Sequence, residues 1–188
     1  MKQKSELKIP TCPPRRGQSN KRGQVWVETV IYTLIAFVMI GLVLAYAKPK
    51  IEEFQDKAVI EQSIAMVKDI DSLILTMGGP GNQRMIELGI KKGVLKIDGV
   101  KDLIVFEIEG KHTYSEPGID ISDGNLIIHT EKRGKSNTVT LTRDYSQEYD
   151  IRYQGKNELK SLSKASIPYK LLISNRGGTK TVIDIEVS

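Results

Sequence analysis

An uninterrupted apolar run near the amino terminus constrains most strongly what this chain can fold into. Residues 29–47 read TVIYTLIAFVMIGLVLAYA, 19 residues without a formal charge. At about 1.5 Å per helical residue, such a run crosses most of a hydrocarbon core of roughly 30 Å. It is apolar on every side, unlike an amphipathic helix that lies on a membrane surface. Residues 25–27 extend it beyond Glu28, so we predict a transmembrane helix over about residues 25–47.

The basic side chains are concentrated ahead of this run. The 188-residue chain has 28 Lys and Arg against 23 Asp and Glu, a net charge of +5. Residues 1–23 hold seven basic side chains and one acidic one, whereas residues 24–188 hold 21 basic and 22 acidic ones. The positive-inside rule therefore places the amino terminus in the cytoplasm and the chain beyond Pro49 outside. The excess is a topology signal and gives no reason to expect nucleic-acid binding.

Residues 1–47 fit three kinds of amino-terminal segment. The first is an uncleaved signal anchor. The second is a secretory signal cut after Ala47, which ends a small-x-small pattern, although the apolar run exceeds the usual length of about 7–15 residues. The third is a segment cut between Gly23 and Gln24, which would remove the basic leader and leave the apolar helix on the product.

The third pattern resembles the class III signal peptide of type IV prepilins. It has a basic flank, a cleavage junction and a glutamate at the fifth position after the cut: Lys21 and Arg22, Gly23 and Gln24, and Glu28. Glutamine after the cut is typical of the archaeal branch of this family. Trp26 departs from the serine that archaeal members often carry there.

This resemblance implies a structural pilin subunit of a type IV pilus-like surface filament, serving adhesion or surface interaction, and not an enzyme. Its implied partners are a membrane prepilin peptidase, copies of itself, and an assembly ATPase with its membrane platform. The precursor would lie in the cell membrane and the processed subunit in an extracellular filament. The new α-amine of Gln24, with an ordinary pKa of about 7.7–8.0, is expected to pair with Glu28 of a neighbouring subunit.

Two other interpretations stay open. One is a membrane-anchored or secreted β-domain that binds a ligand and never polymerises. The other, which is a close variant of the pilin-subunit interpretation, is a minor pilin or an archaellin-like subunit.

The remaining sequence predicts an α+β chain. Apolar residues recur every three or four positions at Ile60, Ile64, Val67, Ile70 and Ile74, which extends the helix in amphipathic form until glycines and proline end it. We therefore expect a cleaved leader over residues 1–23, a long helical segment over 24–81, and an antiparallel, sandwich-like β-domain over 82–188. Candidate strands lie at 94–97, 103–109, 125–130, 138–143, 148–153, 168–174 and 180–187, and residues 159–167 form either a short helix or a loop.

No catalytic or metal-binding pattern stands out in the sequence. His112 and His129 have no Cys or second His at ligand spacing, so we expect no metal and no cofactor. Cys12 is the only cysteine, which excludes a disulfide framework. One basic and aromatic group could in principle stack single-stranded nucleic acid, but without a positive excess we expect no nucleic-acid binding. Its members are Tyr145, Tyr149, Tyr153, Tyr169, Lys132, Arg133, Lys135 and Arg143.

Overall fold

The structure is a computed structural model and describes residues 21–134 and 136–187, with side chains from residue 26 onward. The chain divides into two compact units, Met1–Tyr46 and Ala47–Ser188. The described residues form one α-helix and ten strands, an α+β fold as predicted. The helix is α1 (Lys21–Leu75). The strands are β1 (Gln83–Leu88), β2 (Val94–Asp98), β3 (Leu103–Gly110), β4 (Asp120–Asp123), β5 (Leu126–Arg133), β6 (Ser136–Asp144), β7 (Tyr149–Tyr153), β8 (Leu159–Ser163), β9 (Tyr169–Gly177) and β10 (Thr181–Val187).

The described side chains of the helix in the first unit are all exposed. Every side chain from Trp26 to Tyr46 is exposed, including Phe37 at 74% and Leu42 at 63%. The Thr33 hydroxyl donates to the carbonyls of Val30 and Thr29, at 2.9 and 3.1 Å, which satisfies it within its own helix. Among the described helices, α1 alone is long and apolar enough to cross a membrane. A helix satisfies its own backbone groups, so this surface suits lipid.

The second unit contains two β-sheets. One has six strands in the order β4-β5-β6-β3-β2-β8, and all of its pairings are antiparallel. The other has four strands in the order β1-β9-β10-β7. In this second sheet β7 and β10 pair in parallel. The prediction of an antiparallel β-rich domain is confirmed, and β7 with β10 is the one parallel pair among the described strands.

The carboxyl-terminal part of α1 packs in the core of this unit. Ile60, Ile64, Val67, Ile70 and Ile74 are all buried, as their spacing predicts. They join one apolar cluster with the inward side chains of both sheets. This part of the helix is therefore a structural element of the β-domain, whose apolar stripe is covered within the same unit.

Three strands were absent from the sequence prediction. They are β1, β4 and β8, and β8 occupies the first part of the ambiguous segment 159–167. The helix also ends at Leu75, before the turn that contains Gly78 and Pro80. The seven predicted strands all exist, with ends displaced by a few residues.

Candidate functional site

The predicted assembly residue Glu28 lies on the exposed helix of the first unit. Its carboxylate accepts a hydrogen bond from the Tyr32 hydroxyl, one turn onward, at 3.3 Å. Glu28 has no ion pair within the part of the chain whose side chains are described. The residues that follow it, Thr29 to Tyr46, carry no charge, so this carboxylate is the one acidic group at the beginning of the apolar surface.

The predicted processing junction lies at the amino-terminal end of α1. Gly23 and Gln24 have helical backbone, as do Lys21 and Arg22 before them. Residues 1–20, most of the predicted leader, lie outside the described residues. The predicted junction therefore lies about one helical turn before Glu28, because the four residue steps from Gln24 to Glu28 span about 1.1 turns.

A polar cluster joins the first turns of the helix in the second unit to the β-domain. The buried carboxylate of Asp56 accepts hydrogen bonds from Lys92 Nζ at 2.5 Å and from the Lys111 backbone N–H at 2.6 Å. Glu52, one turn earlier, pairs with Lys111 Nζ. A cleft of about 900 Å³ opens beside these side chains. Gly110 allows the approach, because a Cβ there would lie 2.7 Å from Asp56 Oδ2.

The charges in this cluster favour their ionised forms. Burial alone would raise the pKa of Asp56, but the hydrogen bonds from Lys92 and Lys111 lower it below its ordinary value. The hydrogen bond from Lys111 also lowers the pKa of Glu52. The partners lie 36 and 55 residues from Asp56 in sequence. The arrangement ties the helix to the β-domain and leaves each carboxylate with a cationic partner.

A second buried pair fastens the helix to β6. The Arg143 guanidinium donates to Asp71 Oδ1 at 2.7 Å and to Glu148 Oε2 at 3.1 Å, with only 5% of its side chain exposed. Burial would lower the pKa of Arg143, but the hydrogen bond from its guanidinium to Asp71 raises it. Arg143 also lies 4.3 Å from the centroid of the Tyr145 ring. This is a structural ion pair between two elements of one core.

Part of the basic and aromatic group considered for nucleic-acid stacking is buried in the core. Tyr145 is fully buried, Tyr153 is 5% exposed and Arg143 is 4% exposed. Burial raises the pKa of the Tyr145 hydroxyl, which finds no hydrogen-bond partner among the described residues. Side chains in the core cannot stack on bases, which removes these three from such a surface. Lys132 and Arg133 are exposed, and Lys135 lies outside the described residues.

The two histidines lie apart from any cluster of metal-ligating side chains in the described ranges. His129 is on β5, where Nδ1 lies 2.6 Å from the carboxylate of Asp120 on the edge strand β4. Its side chain is 41% exposed, so His129 is a surface residue of the sheet.

The roles of Glu28 and of the junction before it stay predictions, and the sequence analysis missed the cluster of Asp56, Lys92 and Lys111. An acidic residue on the apolar stripe was the available signal, since Asp56 lies four positions before Ile60 and shares its buried face. Its partners could not be identified without the fold. Comparisons with protein-family models, with curated proteins and with solved structures found no match.

Proposed function

We propose that this chain is the structural subunit of a type IV pilus-like surface filament, made as a membrane precursor and cut between Gly23 and Gln24. One observation carries the proposal. A fully exposed, uncharged helix begins directly after a single carboxylate, Glu28, at the fifth position beyond the proposed cleavage junction.

The exposed apolar helix supports the proposal because its surface must be shielded from water both before and after assembly. Before assembly, lipid covers it. After assembly, the same surface of neighbouring subunits would cover it, since apolar helices pack closely on one another in a lipid-like environment. The second unit buries its own helical stripe, so it needs no such cover.

The position of Glu28 supports an intermolecular partner. A carboxylate at the centre of a bilayer costs about 2.5–3.5 kcal/mol on insertion scales, and less near the interface. The described hydrogen bond of Glu28, from the uncharged Tyr32 hydroxyl, is long at 3.3 Å. The α-amine released at Gln24 is mostly protonated at neutral pH. Pairing between this amine and Glu28 of a neighbour would be strong in an apolar helix bundle and would set the register between subunits.

In this proposal the β-domain is displayed outside the cell membrane, where it serves adhesion or another surface interaction. Its partners in assembly are further copies of the chain, a prepilin peptidase, and an ATPase with a membrane platform. A minor subunit of such a filament would have the same architecture.

Replacement of Glu28 by alanine tests the assembly role. We expect Glu28→Ala to insert in the membrane normally and to lower the yield of surface filaments at least about tenfold, the effect of losing about 1.4 kcal/mol per contact. Filaments are counted by electron microscopy, and membrane insertion is measured by fractionation. The matched control is Glu61→Ala, which removes an exposed helical glutamate whose salt bridge to Lys57 is 3.8 Å long. Normal filaments from Glu28→Ala would exclude the pairing, and no filaments from the unmodified chain would favour a monomeric anchored domain.

A further inference from the structure

The six-stranded sheet of the second unit has a free edge on each side, β4 and β8. Each edge strand has one hydrogen-bonded neighbour in the described residues. Because the sheet has an even number of strands and every pairing is antiparallel, its two edges run in opposite directions. A second copy that continues the twisted sheet beyond β8 would therefore bring its β4 against β8 as an antiparallel pair.

The register of the sheet aligns these two edges residue by residue. A row of directly opposite residues crosses all six strands, with one end on β4 and the other on β8. One row ends at Asp123 and Lys160. The next two rows end at Ser122 and Ser161, and at Ile121 and Leu162. The first row runs Asp123, Leu126, Arg143, Ile104, Ile97 and Lys160. A copy displaced along the rows would thus place a lysine opposite an aspartate and leucine opposite isoleucine.

The charges of the edges select this pairing over the alternatives. Residues 115–125, which contain β4, carry Glu116, Asp120 and Asp123 and no basic side chain. Residues 159–167, which contain β8, carry Lys160 and Lys164 and no acidic side chain. Like charges directly opposite each other destabilise a strand pair, whereas opposite charges contribute roughly 0.2–1 kcal/mol. Within one copy Asp123 already pairs with Lys68 at 2.7 Å, and Asp120 lies 2.6 Å from His129 Nδ1, so Lys160 of a second copy would share Asp123 with Lys68. Two β8 edges would bring like charges together, whereas β4 with β8 would not.

The exposure of side chains on β4 and β8 is consistent with edges that are free to pair with another strand. Ile121 is 41% exposed although its neighbour Ile128, on the same face, is fully buried. Ser161 is exposed. The carbonyl of Ser163 accepts a hydrogen bond from the Tyr169 hydroxyl at 2.9 Å. The part of β8 that is free to pair therefore ends before Ser163. The new ladder would therefore be short and would use residues 159–162.

We propose that β8 of one copy adds to β4 of a second copy of this chain, so that the six-stranded sheets continue from subunit to subunit. Such a contact is heterologous, because different surfaces of the two copies meet, and it propagates in one direction. The inference goes beyond the filament proposed above and does not require it, because every residue involved lies in the second unit. In a filament it would add a contact between β-domains to the contact between apolar helices.

Disulfide trapping of the full chain in membranes tests this pairing. In a Cys12→Ser background, Ser122→Cys and Ser161→Cys introduce one thiol on each edge, on the same row. Directly opposite residues have Cβ atoms about 4.5–5.5 Å apart, close to the roughly 3.5–4.5 Å of a disulfide. After mild oxidation and non-reducing electrophoresis, we expect the double variant to form a ladder of dimers and larger species. A mixture of the two single variants should give dimers only, and each single variant should give less than about a tenth of that yield.

The matched control combines Ser122→Cys with Thr179→Cys, an exposed threonine in the turn between β9 and β10 of the other sheet. A cooperative unfolding transition, measured under reducing conditions, verifies that each variant is folded. A ladder no stronger than that of this control, or equal cross-linking by Ser122→Cys alone, would overturn the proposal. Cross-linking is scored on cut and uncut chains alike, so failure of the filament proposal does not affect the result.

Discussion

At the residue scale, Arg143 shows how much a local sequence pattern predicts and what it leaves out. The alternation along β6 places position 143 on the same face as Val139 and Leu141, both buried. The pattern therefore indicates an inward arginine, and an inward arginine needs a partner because arginine is rarely buried without one. That partner is Asp71, 72 residues away in sequence. No local pattern identifies it.

We expect Arg143→Met to destabilise the second unit by about 3–5 kcal/mol, because it leaves the Asp71 carboxylate in the core without its cation. Adding Asp71→Leu should recover most of the loss, since an apolar pair can replace a buried ion pair. Chemical unfolding of the full chain in detergent, followed by circular dichroism, measures both effects. Arg133→Met is the control, because that pair with Glu131 is exposed and should contribute at most about 1 kcal/mol. Equal effects of Arg143→Met and Arg133→Met would contradict a structural role for the buried pair.

At the scale of elements, the helix was predicted well because its two parts have different hydrophobic patterns. Residues 29–47 are apolar on all sides and are exposed through Tyr46, whereas the stripe from Ile60 to Ile74 is apolar on one side and buried. The strands were predicted where apolar residues alternate. They were missed where a strand is short and polar, as in β4, or has one buried side chain, as in β8 with Leu162. The parallel pairing of β7 with β10 depends on contacts distant in sequence, which periodicity does not encode.

The different roles of the two parts of α1 can be separated by two alanine substitutions. Ile70 is fully buried in the core of the second unit, so Ile70→Ala should destabilise that unit by about 2–5 kcal/mol. Leu42 is 63% exposed in the first unit, so Leu42→Ala should leave the same unfolding transition within about 0.5 kcal/mol. Chemical unfolding of the full chain in detergent compares them. A large loss of stability for Leu42→Ala would show that the apolar part of the helix also supports the β-domain.

At the scale of the whole molecule, the basic excess belongs to the predicted leader. Without residues 1–23, the remaining 165 residues hold 21 basic and 22 acidic side chains. In the second unit, buried carboxylates such as Asp56 and Asp184 each have a cationic partner. The proposed filament therefore relies on the apolar helix, Glu28 and the new α-amine for its helical contacts, and the net charge of the precursor says little about what the β-domain binds.

The amino-terminal residue of the mature protein tests this account most directly. The protein is sheared from cell surfaces, separated from membranes, and its amino-terminal peptide is identified by mass spectrometry. The account predicts a chain that begins at Gln24 in the filament fraction. A chain that begins at Lys48, which has lost the apolar helix, or an intact Met1 would contradict it.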